Sequence, residues 1–346
     1  MGDQVASFNV HDRFRFRVSA PRPADLRAFS AKFAAFGVDH VDEPDVEVLL
    51  GPHDVGEGET TLVTKESRCG RGFVHYAETY KVVRWRVLLA GLEDRQWRVR
   101  CHCRPAVGYE AFITKVLRPL FALKLATQGS ALLHASAVGV KGRACVFAAF
   151  PGVGKTSACF HLARKGAELL GDENTLVDPE GGVWSFPLSI PVTTAMLRRH
   201  GLRPELSLGE RVRLRVGDLV GLLSWGFLEK SLGLAARRCF SVAERAEPWR
   251  VYVLARSPRP FAIERLAADE CARRLVLIQQ FELTRVATYL SNYLVANPAS
   301  ALADPAGVLR RSVEPVVARA ETYGVNLDEA RLGGSFERLA AHAGLA

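Results

Sequence analysis

The chain has 346 residues, of which 48% are hydrophobic and 24% are charged. This length and composition are typical of a globular protein of about two domains, and they exclude a disordered chain, a collagen-like fibre and a disulfide-rich miniprotein. The net charge of +9 indicates an acidic partner, which could be a nucleotide, an acidic peptide, a nucleic acid or an anionic membrane.

The cysteines and the apolar segments predict the cellular setting. Seven cysteines are scattered along the chain without paired spacing, which predicts reduced thiols in a cytoplasmic protein. The first ten residues contain no basic stretch that leads into an apolar run, so we expect no signal peptide. The longest apolar window, residues 219–236, contains Glu229 and Lys230, so we expect no transmembrane span and no membrane partner.

Residues 1–108 are predicted to form a β-rich, antiparallel N-terminal domain, with substrate recognition as its candidate role. Over residues 13–18, arginines alternate with Phe14, Phe16 and Val18, which is the period of a half-buried strand. A helix is predicted over residues 24–36. The other predicted strands are residues 46–50, 60–64, 73–83, 85–89 and 96–103.

Residues 109–346 are predicted to form a second domain of α/β type with a helical C-terminal part. It opens with a dense apolar run over residues 110–127, which indicates a buried helix. The pattern then changes to strand, turn, strand, glycine loop, helix and strand, which is typical of a nucleotide-binding core. The predicted elements are strands 131–140 and 143–150 joined by a hairpin, helix 155–165, strands 167–170, 183–186 and 249–255, and a mostly helical region from residue 267.

The glycine loop is the most informative segment. The run from Ala149 to Thr156 matches the phosphate-loop pattern G-x-x-x-x-G-K-[ST] at every fixed position except the first, where alanine replaces glycine. In such a loop, backbone amides and a helix N-terminus surround an anion, lysine neutralises the β- and γ-phosphates, and the hydroxyl binds Mg²⁺. The alternative is a glycine turn followed by a surface lysine. The predicted nucleotide-binding residues are Pro151, Gly152, Val153, Gly154, Lys155, Thr156 and Ser157.

A phosphate loop needs an acidic partner that holds the metal ion. Asp172 and Glu173 end a short apolar strand that follows the loop and one helix. We therefore predict Thr156, Asp172 and Glu173 as metal ligands, with a helix cap or a solvated turn as the alternative for the two acids. His134 is a further candidate, since it is a polar residue inside a predicted apolar strand, although such a histidine is more often part of a core.

Three motifs in this order resemble the catalytic domain of bacterial HPr kinase/phosphorylase and its kinase relatives. The motifs are the one around His134, the phosphate loop, and residues 164–173 with their two acids. Residues 168–173 also resemble the metal-binding stretch of ATP-dependent phosphoenolpyruvate carboxykinase, whose phosphate-binding core is similar. The resemblance covers residues 131–186, is weaker over 249–266, and implies a phosphate-loop core built from a mixed sheet and helices.

The resemblance also implies roles for individual residues. His134 would lie beside the transferred phosphoryl group, Asp172 would take the proton from a serine hydroxyl, and Glu173 and Thr156 would lie near the metal ion. The catalytic residues are therefore predicted to be His134, Lys155 and Asp172. The sequence departs from the family at Ala149, Pro151 and Glu173, and it lacks the Glu-Ile-Arg-Gly stretch of HPr kinases, which favours an acceptor other than HPr.

The function that follows is an ATP-dependent kinase that uses Mg²⁺ and phosphorylates a hydroxyl, with serine favoured, in a peptide, a protein or a small molecule. Relatives of this kinase type are associated with peptide modification, so a precursor peptide is one candidate acceptor. The alternative is an ATP-binding regulator or scaffold without phosphotransfer. A carboxykinase-like metabolic enzyme is disfavoured, because the chain is short and oxaloacetate-binding signatures are not apparent. The choice between ATP and GTP is also open, as is the oligomeric state, with a homo-oligomer among the options.

Two weaker patterns have other interpretations. Cys101, His102 and Cys103, with Cys69 and His75, could form a zinc site, but strand alternation separates His102 from the two thiols, so buried thiols are favoured. Residues 192–240 contain nine Lys and Arg against four Asp and Glu. In this basic segment, Arg211, Arg213 and Arg215 alternate with apolar residues, which predicts a strand with a solvated basic face.

The alternative for the basic segment is a surface that receives an acidic peptide or an anionic small molecule. Nucleic acid is ranked below these partners, because no aromatic-rich binding motif accompanies the charge.

Overall fold

The structure, a computed structural model, describes residues 3–53, 60–223 and 231–345. The fold is mixed α/β, with large mixed sheets and helices. The chain divides into two compact units: residues 1–131 with 279–312, and residues 132–278 with 313–346. The predicted boundary near residue 108 therefore falls within the first unit, and part of the helical C-terminal region clusters with the N-terminal residues.

The first unit is built on strands. In chain order it contains β1 (Gln4–Val10), β2 (Phe14–Ala20), α1 (Pro23–Lys32), a 3₁₀ turn (Ala34–Phe36), β3 (Gly37–Val38), β4 (Val46–Leu50), β5 (Thr60–Val63), β6 (Ser67–Gly70), β7 (Phe73–Tyr80), β8 (Val83–Ala90), β9 (Trp97–Arg104), a 3₁₀ turn (Ala106–Gly108), α2 (Tyr109–Phe112), a π-helical turn (Ile113–Leu117) and α3 (Arg118–Thr127).

These strands form one sheet of nine in the order β3-β1-β2-β4-β9-β8-β7-β6-β5. The β-rich prediction is confirmed, but the prediction of an antiparallel sheet is wrong at its centre. There β4 pairs in parallel with both β2 and β9. The predicted helix over residues 24–36 is shorter than expected, since α1 ends at Lys32 and a 3₁₀ turn follows.

Alternation along the strands gives this sheet an apolar face and a basic face. On the apolar face Phe16 packs against Phe121 of α3, with ring centroids 4.7 Å apart. Tyr76 stacks on Tyr289, which lies in the part of the chain that returns to this unit. On the opposite face the side chains of β8 and β9 include exposed arginines. Burial of the aromatic residues therefore fixes which face of each strand is turned outward.

The boundary between the two units along the chain falls between residues 131 and 132, inside one short strand. Its elements are β10 (Ala131–Leu133), β11 (Ala135–Val140), β12 (Arg143–Ala148), α4 (Lys155–Arg164), β13 (Glu168–Gly171), β14 (Thr175–Val177), β15 (Val183–Trp184), β16 (Ile190–Val192), α5 (Thr194–His200), α6 (Leu208–Leu223), β17 (Leu232–Leu234), a 3₁₀ turn (Ala236–Arg238), β18 (Arg245–Ser257), β19 (Ala262–Arg265), α7 (Ala268–Ala296), α8 (Pro305–Arg319), β20 (Glu321–Asp328), a 3₁₀ turn (Glu329–Arg331) and α9 (Leu332–His342). Helices α7 and α8 contribute residues to both units.

The main sheet of this unit has the order β10-β14-β15-β18-β12-β11-β13, with β20 paired to β18 and β19 paired to β20. The predicted hairpin is confirmed, since β11 and β12 are antiparallel neighbours. The strand predicted over residues 131–140 is interrupted at His134, which lies between β10 and β11. Strand β20 was not predicted, because residues 267–346 were interpreted as mostly helical.

The prediction of a strand around Arg211, Arg213 and Arg215 is wrong, because these residues lie in helix α6. Its start has reciprocal hydrogen bonds, from the amide of Ser207 to Glu210 Oε2 (2.8 Å) and from the amide of Glu210 to Ser207 Oγ (3.3 Å). This capping box satisfies two amides at the start of the helix. Lys230 of the basic segment lies outside the described residues.

None of the helices that the structure describes combines the length and the apolar character needed to cross a bilayer. All seven cysteines are free thiols. Cys101 and Cys103 share the buried face of β9, with their sulfur atoms 3.6 Å apart, and His102 lies on the other face. Strand alternation therefore places the two thiols as predicted.

Candidate functional site

Three adjacent strands bring the sequence motifs to one edge of the second sheet. Strand β11 lies between β12 and β13 and is antiparallel to both, so that Ala135 pairs with Ala148 and Ala137 with Gly171. The beginning of β11 therefore lies beside the ends of its two neighbours. Since His134 precedes β11, the glycine loop follows β12 and Asp172 follows β13, the three motifs meet at this edge.

The glycine loop has the backbone conformation that its sequence predicts. Gly152 and Gly154 have φ values of 79° and 125°, which side-chain-bearing residues rarely adopt. Helix α4 begins at Lys155, directly after the second of these glycines. The amides of its first turn have no partner within the helix and carry a partial positive charge. Ala149, which replaces the first glycine of the pattern, is fully buried in the core of the unit.

Lys155 is the cation of the site, and it is buried with only 6% of its surface exposed. Its Nζ donates hydrogen bonds to the carbonyl oxygens of Ala149 (2.8 Å) and Phe150 (3.3 Å). It also lies 3.0 Å from Nε2 of His134. Because an ammonium group has donors only, Nε2 accepts this hydrogen bond. Lys155 and His134 are therefore direct partners.

Asp172 is the acid that contacts the loop. Its Oδ1 accepts hydrogen bonds from the hydroxyl groups of Thr156 (2.7 Å) and Ser136 (3.0 Å). Burial raises the pKa of this carboxyl group above its ordinary value, and the neighbouring charge of Glu173 acts in the same direction. The hydrogen bonds from Thr156 and Ser136 oppose that rise, because they stabilise the charged form.

A tight turn after β13 holds Asp172 at the end of the strand. A Cβ atom at Gly171 would lie 2.1 Å from the carbonyl oxygen of Asn174, so only glycine fits there. Glu173 has a φ of 65°, an uncommon conformation for a residue with a side chain. Two residues after Glu173, Thr175 donates a hydrogen bond to the carbonyl oxygen of Ala135 (3.0 Å), which connects the turn to the start of β11.

The structure links four of the sequence-predicted residues by direct hydrogen bonds: His134 with Lys155, and Thr156 with Asp172. The other predicted loop residues are less closely involved in this network. Pro151 and Gly152 are exposed, Val153 and Gly154 are half-buried, Ser157 lies half-buried in the first turn of α4, and Glu173 is half-buried beside Asp172.

Sequence reasoning missed Ser136, which contacts Asp172 directly. The sequence contains a signal for Ser136, because it is a polar residue in an otherwise apolar run, two residues after His134. In the structure its side chain is fully buried. A buried hydroxyl needs a hydrogen-bond partner, so a serine in such a strand indicates a polar group nearby.

The predicted basic segment divides into distinct parts. Arg238 forms an ion pair with Glu210 at the start of α6, so part of its charge is compensated within the segment. Arg211, Arg213 and Arg215 are exposed on α6. These three arginines therefore lie on a helix and not on a sheet.

The oxygen atoms around Asp172 suit a magnesium ion. Mg²⁺ prefers oxygen donors, and proteins bind it through one or two carboxylates together with substrate phosphates and water. The Thr156 hydroxyl and the Asp172 carboxylate supply such donors side by side. Within the described part of the chain, no group of three or more His, Cys, Asp and Glu side chains is arranged to hold a metal ion.

Neither the comparison with protein-family models nor the search of curated proteins finds a match for this chain. The chemistry of the site therefore has to be inferred from the residues around the loop and from their contacts.

Proposed function

We propose that the protein is an ATP-dependent kinase that transfers the γ-phosphoryl group to a hydroxyl, with a serine of a peptide or protein as the favoured acceptor. The hydrogen bond of 2.7 Å between Thr156 and Asp172 is the observation that carries this proposal. It joins the hydroxyl of the phosphate loop to a half-buried acid, which is the pairing that phosphoryl-transfer sites use to hold a metal ion beside the phosphates.

The loop supplies the groups that a triphosphate needs. Its positive-φ glycines and the first turn of α4 direct amides and partial positive charge to the space beyond the loop. The ammonium group of Lys155 supplies a full charge at the same place. Since Pro151 and Gly152 are exposed, the outside of the loop is open to solvent. We infer that Gly152, Gly154, Lys155 and Thr156 are the main contacts to the nucleotide.

Thr156 and Asp172 would hold Mg²⁺, with Glu173 as a further oxygen donor. When bound, this ion neutralises charge on the phosphates and helps to orient them. The residues of the chain provide the rest. Lys155 offsets negative charge on the β- and γ-phosphates, and His134, its direct partner, completes the polar surface next to the transferred group.

In the proposed transfer, the Asp172 carboxylate takes the proton of the acceptor hydroxyl while the hydroxyl oxygen bonds to the γ-phosphorus. The bond from that phosphorus to the bridging oxygen breaks, and ADP leaves with the electron pair. Burial raises the pKa of Asp172 in the site without a metal ion, and a bound Mg²⁺ would oppose this rise. Positioning and charge neutralisation account for most of such catalysis, so few residues are needed.

One observation favours the alternative of an ATP-binding regulator. Oδ1 of Asp172 already accepts two hydrogen bonds, from Thr156 and Ser136. An acid engaged in this way can hold a metal ion without accepting a proton from an acceptor. In that case the protein would bind nucleotide and change its affinity for a partner, but no hydroxyl would be phosphorylated.

The test is detection of a phosphorylated product by intact mass after incubation with Mg·ATP and a pool of serine-containing peptides. We expect the wild type to add one phosphoryl group to some members of the pool. Lys155→Ala removes the buried cation and should abolish this product. Lys141→Ala is the matched control, because Lys141 is an exposed lysine in the hairpin between β11 and β12. It should leave the yield unchanged.

Product formation by Lys155→Ala at the wild-type rate would overturn the site assignment. Tight binding of Mg·ATP by the wild type, without product from any acceptor, would favour the regulator instead.

A further inference from the structure

The outward face of the sheet in the first unit carries a dense group of arginines. Along β8 and β9, buried residues alternate with outward arginines, and β6 adds one more. We call these six exposed residues the arginine face: Arg68, Arg84, Arg86, Arg98, Arg100 and Arg104.

The register of the sheet places like charges opposite each other on this face. Arg84 pairs with Arg104 across β8 and β9. Like charges directly opposite in an antiparallel pair are destabilising. An arrangement that opposes stability is expected at positions that serve a function.

Acids do not offset this charge within the described residues. Glu47 is the one acid at an outward position of the described strands of this sheet, and it forms an ion pair of 2.6 Å with Arg17. None of the six arginines forms an ion pair within residues 3–53, 60–223 and 231–345. Asp54, Glu57 and Glu59 lie outside the described residues and are not part of this count.

Two cavities adjoin the arginine face and share His102 and Arg104. One has a volume of about 130 Å³ and is also lined by Arg84 and Arg86. The other has a volume of about 520 Å³ and is also lined by Arg22, whose charge is offset by an ion pair of 3.0 Å with Asp25. Burial lowers the pKa of His102, and the charges of nearby cations, Arg104 first, lower it further. The neighbouring arginines therefore disfavour the protonated form of the histidine, and the cavities give room for side chains of a ligand.

The spacing of the cations matches an extended peptide. Arg98, Arg100 and Arg104 share one face of β9, where residues two apart are separated by about 6.6 Å. In an extended peptide, alternate side chains repeat at the same distance. A peptide with an acid at every second residue could thus place carboxylates against these three arginines, with His102 lying between Arg100 and Arg104 on the same face.

The face is less suited to single-stranded nucleic acid. Proteins that bind such strands stack the bases on aromatic side chains. Among the outward positions of β7, β8 and β9, the one aromatic side chain besides the histidines is Phe73, which is half-buried at the start of β7. We propose that the arginine face binds an extended acidic peptide segment of a partner or substrate.

The proposal is tested by fluorescence anisotropy with a labelled peptide of five Glu-Ser repeats, in the absence of nucleotide. A peptide of five Gln-Ser repeats is the uncharged control. We expect binding of the first peptide only. Arg84→Gln with Arg104→Gln should weaken binding by about tenfold, since each removes one ion pair of the complex.

The matched control is Arg27→Gln with Arg71→Gln, which removes two exposed arginines elsewhere in the unit. It should change the affinity by less than about twofold, because exposed charges away from the contact act only through screened long-range attraction. Equal losses in the two double variants would overturn the proposal. Tighter binding of a six-nucleotide oligothymidine, which has five phosphates, would overturn it in favour of nucleic acid.

The thermal midpoint of the Arg84→Gln and Arg104→Gln variant gives a second readout. It should be equal to or above that of the wild type, because opposed charges have been removed. A lower midpoint together with loss of peptide binding would mean that the two arginines stabilise the fold. The loss of binding would then come from damage to the protein, and this result would also overturn the assignment.

This inference is independent of phosphoryl transfer. The peptide-binding assay contains no ATP, and Lys155→Ala protein should bind the acidic peptide with wild-type affinity. If no acceptor is phosphorylated but the peptide still binds at the arginine face, the proposed kinase function fails and the binding surface stands.

Discussion

The edge of the second sheet and the arginine face of the first sheet differ in how far their charged side chains have partners within the protein. At the edge, the charged groups have partners within about hydrogen-bond distance: Lys155 contacts His134 and two carbonyl oxygens, and Asp172 accepts two hydroxyl hydrogen bonds. On the arginine face, Arg84 lies opposite Arg104. The charged groups of the first region are held by hydrogen bonds within the protein. The arginines of the second region form no ion pair within the described residues, and we propose that they bind another molecule.

This difference has consequences for mutagenesis. Groups that are buried and held by several hydrogen bonds are positioned in advance, so removing one changes the geometry of the others. Exposed arginines act mainly through additive, salt-screened attraction. We therefore expect large and specific effects at the edge of the second sheet, and smaller effects that depend on ionic strength on the arginine face.

Thr156→Ala tests this contrast at the edge of the second sheet. The change removes a hydroxyl that donates to Asp172 and would hold the metal ion, and hydrogen bonds to charged groups contribute about 1.5–3 kcal/mol. The Kd for Mg·ATP, measured by calorimetry, should therefore rise by about 10- to 100-fold. Thr156→Ser keeps the hydroxyl and should restore most of the affinity. An unchanged Kd in the alanine variant would remove Thr156 from the site.

Gly154→Ala tests the backbone of the loop and should have a smaller effect. The φ of 125° disfavours alanine, so we expect a loss of about 1–2 kcal/mol in the free energy of unfolding, measured by urea denaturation. Leu327 and Phe336 lie at ordinary contact distance from a Cβ atom there, so the loss comes from the backbone conformation.

Gly209→Ala is the matched control for this change. Gly209 lies in α6 with open space around a Cβ atom, and alanine should stabilise the helix by about 0.5–1 kcal/mol. If Gly154→Ala stabilised the protein and Gly209→Ala destabilised it by a similar amount, the account of the loop would be contradicted.

Local patterns in the sequence were enough to predict many elements of the fold. Alternation identified β2 and β4, and a motif with known physics identified the loop before α4. The pairing of β4 with β9 was beyond this kind of reasoning, because it joins strands that are distant in the chain. Such pairings depend on how the whole sheet buries its apolar face, which no short window records.

The errors also have local physical reasons. The alternating arginines of residues 211–215 fit a strand, but the capping box of Ser207 and Glu210 starts a helix there, and this signal was overlooked. At the candidate site, the motifs supplied His134, Lys155 and Asp172 as separate residues. Their contacts depend on β11 lying between β12 and β13. The hairpin predicts the first of these pairings, but no sequence pattern predicts the second.

The most direct test of the central claim is Asp172→Asn, measured for nucleotide binding and for phosphoryl transfer in the same preparation. The amide keeps an oxygen that can accept the hydrogen bonds of Thr156 and Ser136, but it cannot take a proton from an acceptor. We predict that at saturating Mg²⁺ the Kd for ATP changes by less than about tenfold, because the amide oxygen and Glu173 can still ligate the ion. Transfer should fall by about 10²- to 10⁴-fold, the usual contribution of a general base. Wild-type transfer by this variant, or an equal loss of binding and transfer, would contradict the assignment of Asp172 as the base.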